Sequence, residues 1–111
     1  MICVKYNSDK LRMEIAGHAN SAPYGQDLVC AAVSTLVCTL AEAVKQLYVY
    51  RLTNDFELEV EEGNALIRCK PDDHIKFAVV AIFETFFLGM MMLAQQYPDC
   101  VQCEREVKSC E

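Results

Sequence analysis

The chain has 111 residues, of which 53% are hydrophobic and 23% are charged, and its 16 acidic residues outnumber its 10 basic residues to give a net charge of −6. This length fits a single domain over residues 1–111 with its own apolar core, and it excludes a two-domain architecture. The acidic balance, with no run of lysine or arginine, argues against direct binding to nucleic acid and favours a cationic partner, because affinity for a phosphate backbone comes from basic side chains.

Alternating apolar and polar residues predict two β-hairpins. The alternation runs over residues 2–6 and again over residues 11–15, and the turn-forming segment Asn7-Ser8-Asp9-Lys10 joins the two strands. The second hairpin is predicted over residues 56–61 and Ala65–Cys69, with Glu62-Gly63-Asn64 as its turn. Four strands are therefore expected before the last third of the chain.

Two long helices complete the pattern, one over about 26–51 and one over about 72–96. A weak alternation of Val101, Cys103 and Val107 with polar residues indicates a fifth strand. Helices that follow pairs of strands predict an α+β fold: a two-layer sandwich of a mainly antiparallel sheet with two helices on one face.

The second helix is apolar on nearly every side from Phe77 to Ala94, with Glu84 at its middle. A carboxylate at that position would be costly in a bilayer, so we expect no membrane span. In so small a domain, an all-round apolar helix instead predicts burial against a second copy of the chain. We therefore expect a homodimer.

The chain has seven cysteines and two histidines. The odd number of cysteines, together with the lack of an apolar leader, predicts free thiols in a reducing compartment, the cytoplasm. His18 ends the second strand, directly before the loop from Asn20 to Gly25 that leads into the first helix, so the loop can bring its imidazole over the start of the helix.

At 100° per residue the first helix has one apolar side, and Cys30 is predicted to face away from it, together with Asp27, Ser34, Ala41 and Lys45. The apolar side comprises Leu28, Val29, Ala32, Val33, Leu36, Val37, Leu40, Val44 and Leu47. A thiol near a helix start is favoured as thiolate by the exposed backbone amides, which could also hold an oxyanion. These residues fit a nucleophilic cysteine with a histidine as its base. Because the chain has seven cysteines, however, one of them near a helix start is also unremarkable.

Two motifs, Gly17-His18-Ala19 and Gly25-Gln26-Asp27-Leu28-Val29-Cys30-Ala31-Ala32-Val33-Ser34, resemble those of the ribosomal-processing cysteine proteases called Prp. Eleven residues separate His18 from Cys30, as in that family. The resemblance implies a homodimeric cysteine protease that removes the N-terminal extension of a large-subunit bacterial ribosomal protein after a pair of aromatic residues, a step needed for ribosome maturation. It implies that Cys30 is the nucleophile and His18 the base, and that the enzyme requires no cofactor.

The same resemblance gives supporting positions around the pair. Asp27 and Ser34 match positions beside the dyad, although Asp27 could simply cap the helix. Gly17 and Gly25 would permit backbone turns around the site. The loop that would close over substrate consists of Asn20, Ser21, Ala22, Pro23 and Tyr24.

Two other functions remain open. Cys100 and Cys103 have a C-x-x-C spacing that can ligate zinc or form a disulfide, but the sequence lacks a second such pair, so we expect no metal. Alternatively, the chain is a non-catalytic acidic dimer that binds a basic ribosomal protein as an assembly factor. A pure binder would need neither Cys30 nor His18.

Overall fold

A five-stranded sheet and two long helices form the protein, whose computed structural model describes residues 1–17 and 24–106 and, for residues 24–27, the backbone only. The α+β prediction is confirmed. The strands are β1 (Ile2–Asn7), β2 (Arg12–Ala16), β3 (Thr53–Glu61), β4 (Asn64–Pro71) and β5 (Val101–Glu106). The helices are α1 (Tyr24–Val49) and α2 (Lys76–Gln96), and a short 3₁₀ turn, Asp73–Ile75, precedes α2.

The strands lie in the order β3-β4-β2-β1-β5. Both predicted hairpins form, β1 with β2 and β3 with β4, and β2 also pairs antiparallel with β4. Because α2 carries the chain back along the sheet, β5 enters beside β1 in the parallel direction, with Ile2 opposite Val101. The sheet is thus mainly antiparallel, as predicted, with one parallel pair at the β5 edge.

The core lies between the helices and one face of the sheet. Alternation along β1 buries Val4 and Tyr6 and leaves Lys5 exposed on the opposite face. The Tyr6 ring packs against Phe83 and Phe87 of α2, with ring centroids 6.3 and 5.0 Å away. The largest fully buried side chains come from both layers: Tyr6, Phe83, Phe87, Leu11, Met13, Leu40, Ile67, Met90, Val4, Val29, Val44 and Val79.

The buried side of α1 is rotated relative to the prediction. Leu28, predicted to lie in the core, is 66% exposed, whereas Ala41, predicted to face away from the core, is buried. The remaining apolar positions of the stripe are buried or partly buried. The reason is that α1 is apolar on most sides, so helical periodicity alone leaves its orientation on the sheet underdetermined.

Helix α2 buries one side and exposes the other. Val79, Phe83, Phe87 and Met90 face the sheet, while Phe77 on the opposite side is 89% exposed. Both long helices are long and apolar enough to cross a membrane by length and composition alone, a test that core helices of soluble domains also pass. Both supply side chains to the core on the sheet.

Candidate active site

A cavity of about 220 Å³ lies where α1 passes over one end of the sheet. Cys30 and Ser34 of α1 form one wall, and Gly17, directly after β2, lies at the other side. The turn between β3 and β4, around Gly63, closes the end. Two predicted supporting residues, Gly17 and Ser34, thus line the same cavity as the predicted nucleophile.

Gly17 holds the end of β2 against its neighbours. Its backbone φ is 114°, a conformation that L side chains rarely adopt, and its N–H donates to the carbonyl oxygen of Gly63 over 3.0 Å. A Cβ at this position would also overlap the carbonyl oxygen of Met1. The predicted backbone turn at Gly17 is therefore present, and only glycine fits it.

Cys30 is half-buried and packs against the core cluster, so the prediction that it faces directly away from the apolar side is wrong. Because the buried side of α1 includes Ala41, Cys30 lies at the margin between core and solvent. Ser34 and Cys38 follow it at intervals of four residues, and all three line the cavity in one row along the helix. The Cys30 thiol is thus at the wall of a cavity rather than on an open surface.

Helix α1 begins two residues earlier than predicted, at Tyr24. Tyr24 and Gly25 therefore belong to the helix and not to the loop, and Gly25 does not form a turn. Asp27 lies within the first helical turn, so its backbone is not at the N-cap position, the alternative that the sequence left open. The backbone amides without partners within the helix are those of its first residues.

Cys30 is the seventh residue of the helix, and an anion gains most at the first turn. Its own amide therefore belongs to the helical hydrogen-bond ladder and is not free to hold an oxyanion. The amides at the helix start are a full turn away. The helix start therefore stabilises a thiolate at Cys30 less than the sequence suggested, so a neighbouring cation has to contribute more.

Several predicted site residues lie outside the described residues: His18, Asn20, Ser21, Ala22 and Pro23. For Tyr24, Gly25 and Asp27 the backbone alone is described. His18 directly follows Gly17 in the sequence, and Gly17 lines the cavity. The pairing of His18 with Cys30 stays a prediction.

Sequence reasoning missed the turn between β3 and β4 as a wall of the site. Glu61 and Glu62 are the charged residues among the described residues that line this cavity. They reach it because β2 pairs with β4, with Ala16 opposite Asn64, which brings the second hairpin turn beside Gly17. Because the two strands are far apart in the sequence, no local sequence pattern predicts that they pair.

Among the residues that the structure describes, the thiols outside this cavity show no sign of joint chemistry. Cys100 and Cys103 are both half-buried against the core, and burial raises the pKa of the Cys103 thiol. Burial likewise raises the pKa of Cys69. Over residues 1–17 and 24–106, no group of three or more His, Cys, Asp or Glu residues is placed to hold a metal ion.

Three solved structures are similar to this chain over nearly its whole length. SMU.848 from Streptococcus mutans is 29% identical, with a TM-score of 0.68 and coverage of 96% of this chain and 93% of that one. The ribosomal processing protease Prp from S. aureus in complex with a covalently linked product peptide is 20% identical, with a TM-score of 0.74 and coverage of 96% and 100%. The same protease with a substrate peptide is 17% identical, with a TM-score of 0.69 and coverage of 95% and 97%.

The two S. aureus structures, at their low identity, show that the fold is shared. No match was found among curated protein sequences. The family model of the cysteine protease Prp matches residues 1–102. The chain therefore belongs to the Prp family of cysteine proteases.

Proposed function

We propose that this protein is a cytoplasmic cysteine endopeptidase that removes the N-terminal extension of a large-subunit bacterial ribosomal protein, cutting after an aromatic pair, and so serves ribosome maturation. The observation that carries the proposal is the cavity shared by Cys30, Ser34 and Gly17 in a chain of the Prp family. The net charge of −6 suits a basic ribosomal precursor as substrate.

In the proposed reaction His18 takes the proton of the Cys30 thiol, and the sulfur attacks the carbonyl carbon of the scissile peptide bond. The tetrahedral intermediate collapses when the C–N bond breaks, and His18 gives the proton to the leaving amine. The resulting thioester is hydrolysed by water, which His18 deprotonates, and the free thiol and a carboxylate product are formed. The covalently linked product peptide of the S. aureus protease supports a covalent route of this kind.

The half-buried position of Cys30 suits this chemistry. A thiol at the margin of the core is shielded on one side and open to the cavity on the other, so an extended peptide can reach it while bulk water is partly excluded. Ser34 lies one helical turn further along the same wall. It can contact the substrate or hold water, and we assign it and Asp27 supporting roles.

The test is cleavage of a precursor peptide that carries the extension, followed by mass spectrometry. We expect Cys30→Ala and His18→Ala each to reduce the rate by at least about a thousandfold, because each removes one half of the nucleophile. Cys38→Ala is the matched control, since Cys38 lines the same cavity two helical turns from Cys30. Normal cleavage by Cys30→Ala, or an equal loss in Cys38→Ala, would contradict the assignment.

The same experiment distinguishes the proposed protease from the alternative function, a non-catalytic dimer that binds a basic ribosomal protein. A stable complex with the precursor, whose mass stays unchanged, would favour the alternative function.

The proposal also includes a homodimer. It is supported by the apolar side of α2, where Phe77, Leu88 and Met92 are exposed to solvent.

A further inference from the structure

Strand β3 is an edge strand of the sheet, and its last residues lie beside the cavity at Cys30. It pairs with β4 on one side, and in the part of the chain that the structure describes no strand pairs with its other side. The pairing with β4 is irregular only near Thr53, at the far end of the strand. Val60 and Glu61 line the cavity. A peptide that leaves the cavity at this point therefore meets a regular, free strand edge.

The backbone groups of Leu58 and Val60 point toward this free edge. The Cys69 N–H donates to the carbonyl oxygen of Leu11 over 3.1 Å, so the backbone groups of Cys69 face β2. Successive residues of a strand direct their N–H and C=O groups to opposite sides. The residues of β4 that bond to β3 are therefore those opposite its glutamates: Asn64, Leu66 and Arg68. Leu58 and Val60, which lie between the glutamates, thus offer their N–H and C=O groups to an added strand.

The two faces of β3 differ in chemistry. Phe56 and Leu58 are partly buried against the core, and Val60, the last residue of this row, is 47% exposed beside the cavity. Glu59 and Glu61 alternate with them and therefore lie on the face of the sheet that carries no helix, roughly 7 Å apart. A strand added at this edge would have apolar neighbours at every second position and carboxylates at the positions between.

Glu59 and Glu61 are the carboxylates of this edge that remain available to a ligand. Asp55 and Glu57, further along the same face, both accept hydrogen bonds from Arg68. Glu59 and Glu61 are exposed, lie opposite uncharged residues of β4 and form no salt bridge in the described part of the chain. Because like charges on neighbouring strands repel, this edge disfavours a second copy of itself or an acidic peptide and favours a basic strand.

We propose that a basic segment of the substrate binds to the free edge of β3 as an additional strand, with lysine or arginine at every second position. The inference rests on the proposed function, which supplies the substrate, and adds the surface that recognises it. Main-chain hydrogen bonds to Leu58 and Val60 hold the segment, and Glu59 and Glu61 select its charge. Basic residues at adjacent positions fit less well, because every second one would face the apolar side of the strand.

The first test uses Cys30→Ala protein, which cannot cleave, and a short synthetic peptide in which lysine alternates with valine. Calorimetry at low salt should show saturable binding that weakens in high salt, and an isomer with all its lysines adjacent should bind at least about threefold more weakly. By NMR, the amides of Leu58 and Val60 should exchange with solvent at least about tenfold more slowly in the complex, because an added strand pairs with them. Absence of saturable binding, equal binding of the isomers or unchanged exchange would overturn the proposal.

The second test changes the charge of the edge. Glu59→Gln/Glu61→Gln should lower the affinity for the alternating peptide about fivefold, the sum of two exposed charge contacts. Glu104→Gln/Glu106→Gln is the matched control, because both are exposed glutamates at alternate positions of the other edge strand, β5. We expect the control to leave the affinity within about twofold. An equal loss in both double variants would contradict the assignment to β3.

Kinetics separate this inference from the proposed function. With active protein and the ribosomal precursor, Glu59→Gln/Glu61→Gln should raise KM about fivefold and leave kcat within about twofold, because the edge binds the substrate away from the reacting atoms. Normal cleavage with an unchanged KM would overturn the edge site and leave the protease intact. If the native protein does not cleave the precursor, the proposed function fails, and the binding and exchange measurements still decide whether the edge takes a basic strand.

Discussion

Gly17 shows how one residue positions the site. It combines a φ of 114°, a hydrogen bond to the Gly63 carbonyl and close contact with the Met1 carbonyl, and it immediately precedes His18 in the sequence. A side chain here would strain the backbone and also push against main-chain atoms that have little freedom to move. The strand end that leads to the proposed base is therefore held by backbone contacts.

We expect Gly17→Ala to lower the free energy of unfolding by about 1–3 kcal/mol, the range for one strained backbone conformation, and to reduce peptide cleavage as well. Urea denaturation measures the first effect and the precursor assay the second. Gly89→Ala is the comparison, because the added methyl would meet only the flexible end of Leu36, at 3.1 Å, while alanine favours the helix. An equal loss of stability in both variants would show that the Gly17 backbone is not special.

The reactivity of the thiols gives a second prediction for single residues. With limiting iodoacetamide near pH 6, Cys30 should be alkylated ahead of Cys38, although Cys38 is the more exposed of the two. His18→Ala should slow the alkylation of Cys30 and leave that of Cys38 unchanged, because the imidazole is proposed to act on one thiol only. Peptide mapping by mass spectrometry measures both. Alkylation in order of exposure would contradict the proposed activation.

Among the elements, the edge strand β5 pairs with β1 and also makes a charged contact with α2. The Arg105 guanidinium donates twice to the Glu84 carboxylate of α2, over 2.8 and 2.9 Å. It also lies 5.0 Å from the centre of the Phe87 ring and 5.4 Å from that of Tyr6. Glu84, which from sequence looked like an acid within an apolar helix, is in fact 37% exposed and paired.

This ion pair predicts a pH dependence. The hydrogen bonds from Arg105 lower the pKa of Glu84, so the pair stabilises the fold fully above the unfolded-state value, about 4.3, and is lost as the pH falls through the lower folded-state value. We expect Glu84→Gln to be less stable than the native protein at pH 7 by about 0.5–1 kcal/mol, as for a partly exposed pair. The difference should disappear at low pH, where the native glutamate is also neutral.

Urea denaturation across this pH range measures the effect. Glu42→Gln is the control, because Glu42 pairs with Lys45 on α1 with both side chains well exposed, and its removal should change stability little. A deficit of Glu84→Gln that persists below the folded-state pKa would show that packing, and not charge, is responsible.

The elements also show what the sequence can and cannot predict. Alternation located both hairpins because each strand has one buried face, and it indicated β5 through Val101 and Cys103. It could not predict that β5 runs parallel to β1, since that depends on where α2 returns the chain. Gly25 suggested a loop, yet the first turn of a helix tolerates glycine, and α1 already begins at Tyr24.

From the sequence, only the site residues that belong to local motifs could be predicted. Gly17, Cys30 and Ser34 were found because they lie in two short segments around one loop, and the structure places all three at one cavity. Glu61 and Glu62 were missed, because they reach the cavity through the pairing of β2 with β4. Contacts between distant segments depend on the whole fold and have no local pattern.

At the scale of the whole molecule, the charge at the cavity beside Cys30 has the same sign as the net charge of −6. Glu61 and Glu62 are the charged residues that line this cavity in the described part of the chain. The field of the whole protein and the local charge at the cavity therefore both attract a basic peptide.

The exposed apolar side of α2 gives the last prediction, which concerns assembly. Phe77, Leu88 and Met92 lie on one side of the helix, away from the side that faces the sheet, and all three are exposed in the single chain. Exposed large apolar side chains on one side of a helix are costly in water, so we propose that a second copy covers them. Analytical ultracentrifugation at micromolar concentration should then show a dimer.

Leu88→Glu should convert that dimer to a monomer that remains folded, because Leu88 is exposed in the single chain and a carboxylate buried between two apolar surfaces costs roughly 3 kcal/mol, or about a hundredfold in affinity. Gln102→Glu adds the same charge to the open face of the sheet and should leave the dimer intact. A native protein that sediments as a monomer, or a Leu88→Glu variant that still dimerises, would mean that the surface of α2 serves another purpose. If cleavage activity falls together with the dimer, the site needs both copies; if it persists, each chain is a complete enzyme.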